Sequence, residues 1–469
     1  MKLASFLLIL LVAGCAPAIR PGPPVLNRVD LPGYLAKSNH AAKPTGEALP
    51  EKWWREFHDP NLDRLVDLAL SGNPGLEEAG ARLKLAQASV MRTASLNSLH
   101  ADSVNRITRQ RLSRNGNNDI YNGKTATIAN VDPLVVRYHL DFWNRDDALI
   151  AASRAEESMM EAQYRQGALM LSSSVIRTYF ALSVARQMAS LQESIVGLLG
   201  EEEALGNAAY RSGVQPASPA LAISEKLLAE KSALAALQQK TEALHFALLE
   251  LLGKEPADEL EATAKMEVPV RFRIPEKIGL DLVSQRPDIQ AALWKIRRET
   301  HLEKAAQAAY YPNLNLQALA GFNSIGLAKL LGPGGATYAF GPALNLPLFE
   351  GGALEGGLHE SEAAYDMAVH AYNRTLLAAA RQIADALSSL KHARERLEDR
   401  TASLKLQASR QKIAEAGFRS GIAGRLPYLE AEIRMNREEM MHMEESLNWL
   451  NSITDTATAL GGGFGRWPS

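Results

Sequence analysis

The chain has 469 residues, a net charge of −2 and one cysteine. The near-neutral balance leaves no electrostatic footprint for nucleic acid, and a lone cysteine excludes both an internal disulfide framework and a Cys-rich zinc site. Hydrophobic residues reach 46% against 22% charged, enough to bury a core, while 6% aromatics are few for a stacking or sugar-binding surface.

Residues 1–14 read as a lipoprotein signal peptide. Lys2 supplies a positive start, and Phe6 to Val12 is an apolar run too short for the ~20 residues that span a bilayer. Val12-Ala13-Gly14-Cys15 resembles a bacterial lipobox, which makes Cys15 the lipidated N terminus after cleavage. Ala16, not Asp, follows it, as in lipoproteins sent to the outer membrane. No other stretch approaches 18 uninterrupted apolar residues, so any further membrane crossing must use β-strands. Residues 15–52 carry Pro17, Pro21, Pro23, Pro24, Pro32, Pro44 and Pro50, the composition of an extended tether.

The body begins at Trp53-Trp54. Leu62, Leu65, Val66, Ala69 and Leu70 have helical spacing, Asn73-Pro74 interrupts it, and a second helix runs from about Leu76 to Ala94. Asn115-Gly116-Asn117-Asn118 and Asn122-Gly123 are turn residues, between strands expected at about 95–112 and 125–143. In the second strand Leu134, Val136, Tyr138, Leu140 and Phe142 alternate with polar neighbours. From Ala148 the helical period returns. Val184, Met188, Leu191, Ile195 and Leu198, and later Leu234, Leu237, Thr241, Leu244 and Leu248, keep coiled-coil spacing. Between these seams Tyr210-Arg211-Ser212-Gly213-Val214 marks a helical hairpin tip, with Gly213 as left-handed cap. Gly253 closes a first repeat spanning 53–253, and 254–275 is a Pro-containing linker.

A second repeat, 276–460, follows the same order. Arg286-Pro287 stands where Asn73-Pro74 stood. Strands are expected at about 312–323 and 336–349, with Gly332-Pro333-Gly334-Gly335 turning between them. From near Gly357, Leu376, Ala380, Ile383, Leu387, Leu390, Arg394, Leu397, Thr401, Leu404 and Ala408 hold a 4-3 spacing along a helix of about 90 Å. Its tip, Phe418-Arg419-Ser420-Gly421-Ile422, repeats the first. A return helix covers about Pro427 to Leu460, and 461–469 reads as a disordered tail.

Four candidate membrane strands per chain cannot close a barrel, since the smallest have eight. Several chains must share one barrel if these strands span a membrane. The lipobox, Trp53-Trp54 with Asp59-Pro60, Arg286-Pro287-Asp288-Ile289, Tyr311-Pro312-Asn313-Leu314 and both Arg-x-Gly turns together resemble the outer membrane efflux protein family, the TolC-like outer membrane factors. Within it they resemble the lipoprotein branch serving resistance-nodulation-division pumps. The first strand departs from the pattern by lacking the Pro that Tyr311-Pro312 supplies.

The resemblance implies an α+β membrane protein: a long α-helical coiled-coil barrel and a transmembrane β-barrel, closed by a homotrimer. It implies no reaction and no cofactor. Its partners would be a periplasmic adaptor at the tips, an inner-membrane resistance-nodulation-division transporter and outer membrane lipid. Arg211 and Arg419 beside the tip glycines have two readings, a cation at a helix C terminus or adaptor docking. Leu426 and Glu430 match the places of an apolar and an acidic ring at a closed periplasmic entrance, although the family commonly has Asp at the latter. Three such carboxylates at one constriction would repel one another and attract cations. Met435, Met440, Met441 and Met443 read as core filler, and Ser388-Ser389-Leu390-Lys391 as part of the heptad run. Two alternatives stand beside the exit duct: a lipid-anchored periplasmic coiled-coil scaffold, and the outer membrane duct of a type I protein secretion system.

Overall fold

The computed structural model describes residues 24–26, 50, 52–115, 122–258 and 283–463. The signal peptide, Cys15, nearly all of the tether, the turn residues 116–121, linker residues 259–275 and tail residues 464–469 lie outside the described residues. Their order along the chain is a 3-10 turn (Trp53–Phe57), α1 (Pro60–Gly72), α2 (Pro74–Ala94), β1 (His100–Arg111), β2 (Thr125–Leu140), α3 (Arg145–Arg211) and α4 (Ala217–Leu251). Then come α5 (Pro287–Ala308), β3 (Asn313–Ile325), β4 (Ala336–Asn345), α6 (Ala353–Arg419) and α7 (Arg425–Ala459). The long helices α3 and α6 have 67 residues each, and the return helices α4 and α7 have 35 each.

The chain forms two compact units. The first comprises residues 24–26, Arg82–Glu161 and Ala291–Asn373; the second comprises the described residues within 27–81, 162–290 and 374–469. In the first, the four strands make one antiparallel sheet in the order β1-β2-β3-β4. Register sorts its faces. Leu134, Val136, Tyr138 and Leu140 pair with Ala320, Ala318, Leu316 and Leu314, which pair onward with Tyr338, Phe340, Pro342 and Leu344. One face is therefore continuously apolar, and Tyr338, Phe340 and Leu344 on it are 80%, 84% and 68% exposed. The other face carries Arg137, His139, Asn313, Asn315 and Gln317, with Arg137 ion-paired to Asp102.

A bulge at Asp132-Pro133 interrupts β2 against both neighbours. Pro cannot donate to a ladder, so a central strand accepts it only there. Gly321 lies opposite; a Cβ on it would collide with the Asp132 carboxylate and lie 2.5 Å from the Val131 carbonyl.

Three strand ends differ from the sequence expectation. Ser95–Asn97 form a 3-10 turn ahead of β1. β2 stops at Leu140 because Asp141 turns to accept from Arg145 N (2.8 Å) and Asp147 N (2.9 Å), capping α3. β4 stops at Asn345, two residues before Pro347. Just past β2, Trp143 stacks on Tyr311 at 4.7 Å and donates to the Pro312 carbonyl at 2.8 Å.

The second unit packs α3, α4 and α7 through Ile195, Leu199, Leu227 and Ile433, all buried. α3 carries a stretch long and apolar enough to cross a membrane, but 67% of that stretch is buried, as in a core helix. The seam 234, 237, 241, 244 and 248 is the covered stripe of α4, with its flanks exposed. Trp53, Trp54 and Phe57 are buried, Phe57 edge-on to Phe180 at 5.1 Å. Asp59 caps α1 through Asn61 N and Leu62 N and accepts from the Tyr179 hydroxyl at 2.6 Å; burial together with this carboxylate raises the phenol's pKa.

The two Pro junctions do the same work. Asn73 accepts from Gly75 N and Leu76 N and donates to the Leu251 carbonyl at 3.0 Å, at the end of α4. Arg286, 5% exposed, donates to the Ala459 carbonyl at 2.7 Å, at the end of α7, and to Asp288 and Gln382. The start of the expected tail is ordered. Gly461 and Gly462 are buried at φ +89° and +63°; a Cβ on Gly462 would collide with Leu169, and one on Gly461 would crowd Arg286.

Candidate functional site: the hairpin tips

Both tips are built from the same hydrogen bonds. At the end of α3, Gly213 N donates to the Tyr210 carbonyl (3.0 Å) and Val214 N to the Ala209 carbonyl (3.0 Å). At the end of α6, Gly421 N donates to Phe418 (3.1 Å) and Ile422 N to Gly417 (3.0 Å). This double return is the Schellman closure, which needs a left-handed residue, and the glycines supply φ of +74° and +72°. The two return helices close the same way at Gly253 and Gly461.

The tip arginines face their own helices. Arg211 Nε donates to the Asn207 carbonyl at 3.3 Å, and Arg419 pairs with Glu415 one turn back. The Arg211 contact neutralises a helix C terminus, whereas Arg419 balances a side-chain carboxylate and remains largely exposed. Leu426 and Glu430 lie in the first turns of α7, four residues apart and so on one face. Leu426 is 41% exposed, and Glu430 is half-buried and 3.4 Å from Arg434.

Sequence reading passed over the group that organises this end. Arg425, the first residue of α7, pairs with Glu201 on α3. Its guanidinium also lies 5.3 Å and 5.0 Å from the rings of Phe418 and Tyr428, which stack on each other at 5.5 Å. A cation over two aromatic faces gains from the ring quadrupoles. The Glu432 carboxylate raises the Tyr428 pKa by accepting its hydroxyl proton in a hydrogen bond. The available signal was Phe418 and Tyr428 flanking the second tip, ten positions apart. Farther along, Glu230 on α4 binds Gln192 of α3 and Arg437 of α7. Among the described residues, no group of three or more His, Cys, Asp or Glu is arranged to hold a metal ion.

The chain combines two long helical hairpins with a four-stranded sheet that has one apolar face. The structure matches the Campylobacter jejuni CmeC outer membrane channel with a TM-score of 0.82, at 23% identity, over 97% of this chain and 96% of that one. It matches the outer membrane protein VceC of Vibrio cholerae with a TM-score of 0.77, at 26% identity, over 90% of this chain and 100% of that one. The chain belongs to the outer membrane efflux protein family, whose model matches residues 65–254 and 281–462. It is 28% identical to the multidrug resistance outer membrane protein MdtP of Escherichia coli O6:H1, over 98% of this chain and 95% of MdtP.

Proposed function

We propose that this chain is the exit duct of a tripartite efflux pump, passing small molecules from an inner-membrane transporter and a periplasmic adaptor across the outer membrane. The observation that carries it is the sheet. One face is apolar from β2 through β4 and exposed, and the edge strands β1 and β4 have no further strand beside them among the described residues. A bilayer supplies the solvent for such a face, and a closed barrel the partners for such edges. Three copies would make twelve strands, with β1 of one protomer beside β4 of the next. The matched helix lengths and tip closures support an internal duplication, and the hairpins would form the periplasmic barrel whose tips meet the adaptor. Cys15 would be the lipid anchor. A periplasmic scaffold has no use for an exposed apolar sheet face, so it is the weaker reading.

In the duct, Leu426 and Glu430 of three protomers would ring the entrance at the start of α7. Single-channel conductance in planar bilayers tests this. Wild type is expected to show a low, cation-preferring conductance, rising severalfold in Leu426→Ala/Glu430→Ala. No conductance from either protein, as a verified trimer, would refute the duct. A conducting pore indifferent to both changes would place the gate elsewhere.

A further inference from the structure

Register carries the apolar face of the sheet across the β2 bulge. Ala320 and Phe322 share that face, and they pair with Leu134 and Val131 on either side of Asp132-Pro133. Beyond the bulge the face therefore continues through Val131, Ala129, Thr127 and Thr125, and onto their β1 partners Asn105, Ile107, Arg109 and Arg111. Here its chemistry changes. Arg109 stands opposite Thr127 and Arg111 opposite Thr125, so two guanidinium groups and two hydroxyls form a square at the strand ends farthest from the helices. Successive residues on one face are about 7 Å apart, a spacing that lets two arginines share one phosphate or hold two neighbouring ones. Both arginines are exposed and have no ion-pair partner among the described residues.

On the duct reading this face meets lipid. From Leu140, at the helical end of β2, to Thr127 is about 40 Å along the strand, or about 30 Å along the bilayer normal at a tilt of ~40°. That equals the thickness of the hydrocarbon core. Arg109 and Arg111 then stand at the headgroup level of the outer leaflet, where the lipid carries phosphates. Guanidinium forks match phosphate oxygens bidentately, and the threonine hydroxyls can donate to the same groups.

We infer that Arg109, Arg111, Thr125 and Thr127 form a binding site for the phosphates of lipid A in the outer leaflet. The inference rests on the duct reading for the orientation of the sheet. Arg106, which register places on the opposite face beside Asn130, is the internal control.

The test uses the full-length trimer in detergent, titrated with bisphosphorylated, monophosphorylated and dephosphorylated lipid A and read by native mass spectrometry. Wild type is expected to prefer the bisphosphorylated form over the dephosphorylated one by about tenfold or more. Arg109→Gln/Arg111→Gln should lose that preference, and Arg106→Gln should keep it. Migration as the same heat-modifiable oligomer shows that the double variant folds; if it does not, Arg111→Gln at the strand end carries the same comparison. A folded variant that keeps the preference overturns the site. Planar-bilayer conductance separates the two readings. A wild type that conducts but ignores phosphate loses the lipid site and keeps the duct, whereas one that never conducts loses the duct and the site with it.

Discussion

At the scale of single residues, Arg286 shows what burial does to a charge. Its side chain is 7% exposed and bound to Asp288, Gln382 and the last carbonyl of α7. Removing Arg286 leaves the half-buried Asp288 carboxylate and a helix-end carbonyl without their partner, a loss that approaches the cost of breaking a buried pair. Arg177 and Asp455 make an ion pair between the same unit's α3 and α7 with both side chains more than 40% exposed, where a pair contributes about 0–1 kcal/mol. Arg286→Ala is therefore expected to lower the thermal unfolding temperature in detergent far more than Arg177→Ala. Equal losses would mean that Arg286 is solvated in the assembled protein.

At the scale of elements, each hairpin depends on glycines in left-handed backbone, but their surroundings separate two costs. Gly421 has φ of +72° and nothing within 4 Å of a built Cβ, so Gly421→Ala meets only the backbone penalty of about 1–2 kcal/mol. Gly253 has nearly the same φ, +68°, yet a Cβ there would strike the Gly72 carbonyl and crowd Pro74. Gly253→Ala should destabilise the protein clearly more than Gly421→Ala in a denaturant or heat series. Indistinguishable losses would show that the α1–α2 corner yields freely. The helices themselves were legible, since a 4-3 apolar spacing uninterrupted by Pro has no other low-energy reading. Their starts were less so. Asp141 caps α3 from outside it and Arg145 begins it, where the apolar period becomes visible only at Ala148.

At the scale of the whole molecule, the proposed duct would be held in the membrane twice, by acyl chains on Cys15 and by the apolar face of the sheet. The sheet is the larger hold, so Cys15→Ser is expected to remain in the membrane fraction and to need detergent for extraction. Release of the variant into the soluble periplasm would sink the duct and restore the scaffold. Single-chain reasoning reached the count of four strands and the need to share a barrel, because strand edges must be paired.

The sequence by itself determined which segments are helix or strand, the two-fold order of motifs and the family, because periodicity, Gly and Pro act locally. The resemblance singled out Leu426 and Glu430, but the return helix was expected only from Pro427; the structure starts α7 at Arg425 and so puts both residues on one helix. Tertiary structure alone decided which residues meet across long separations. Arg425 finds Glu201 and two aromatic rings, Arg286 reaches the end of α7, and a bulge at Pro133 brings Asp132 against Gly321. Such contacts depend on how helices and strands are aligned with one another, and that alignment is set by packing and register that no local pattern encodes.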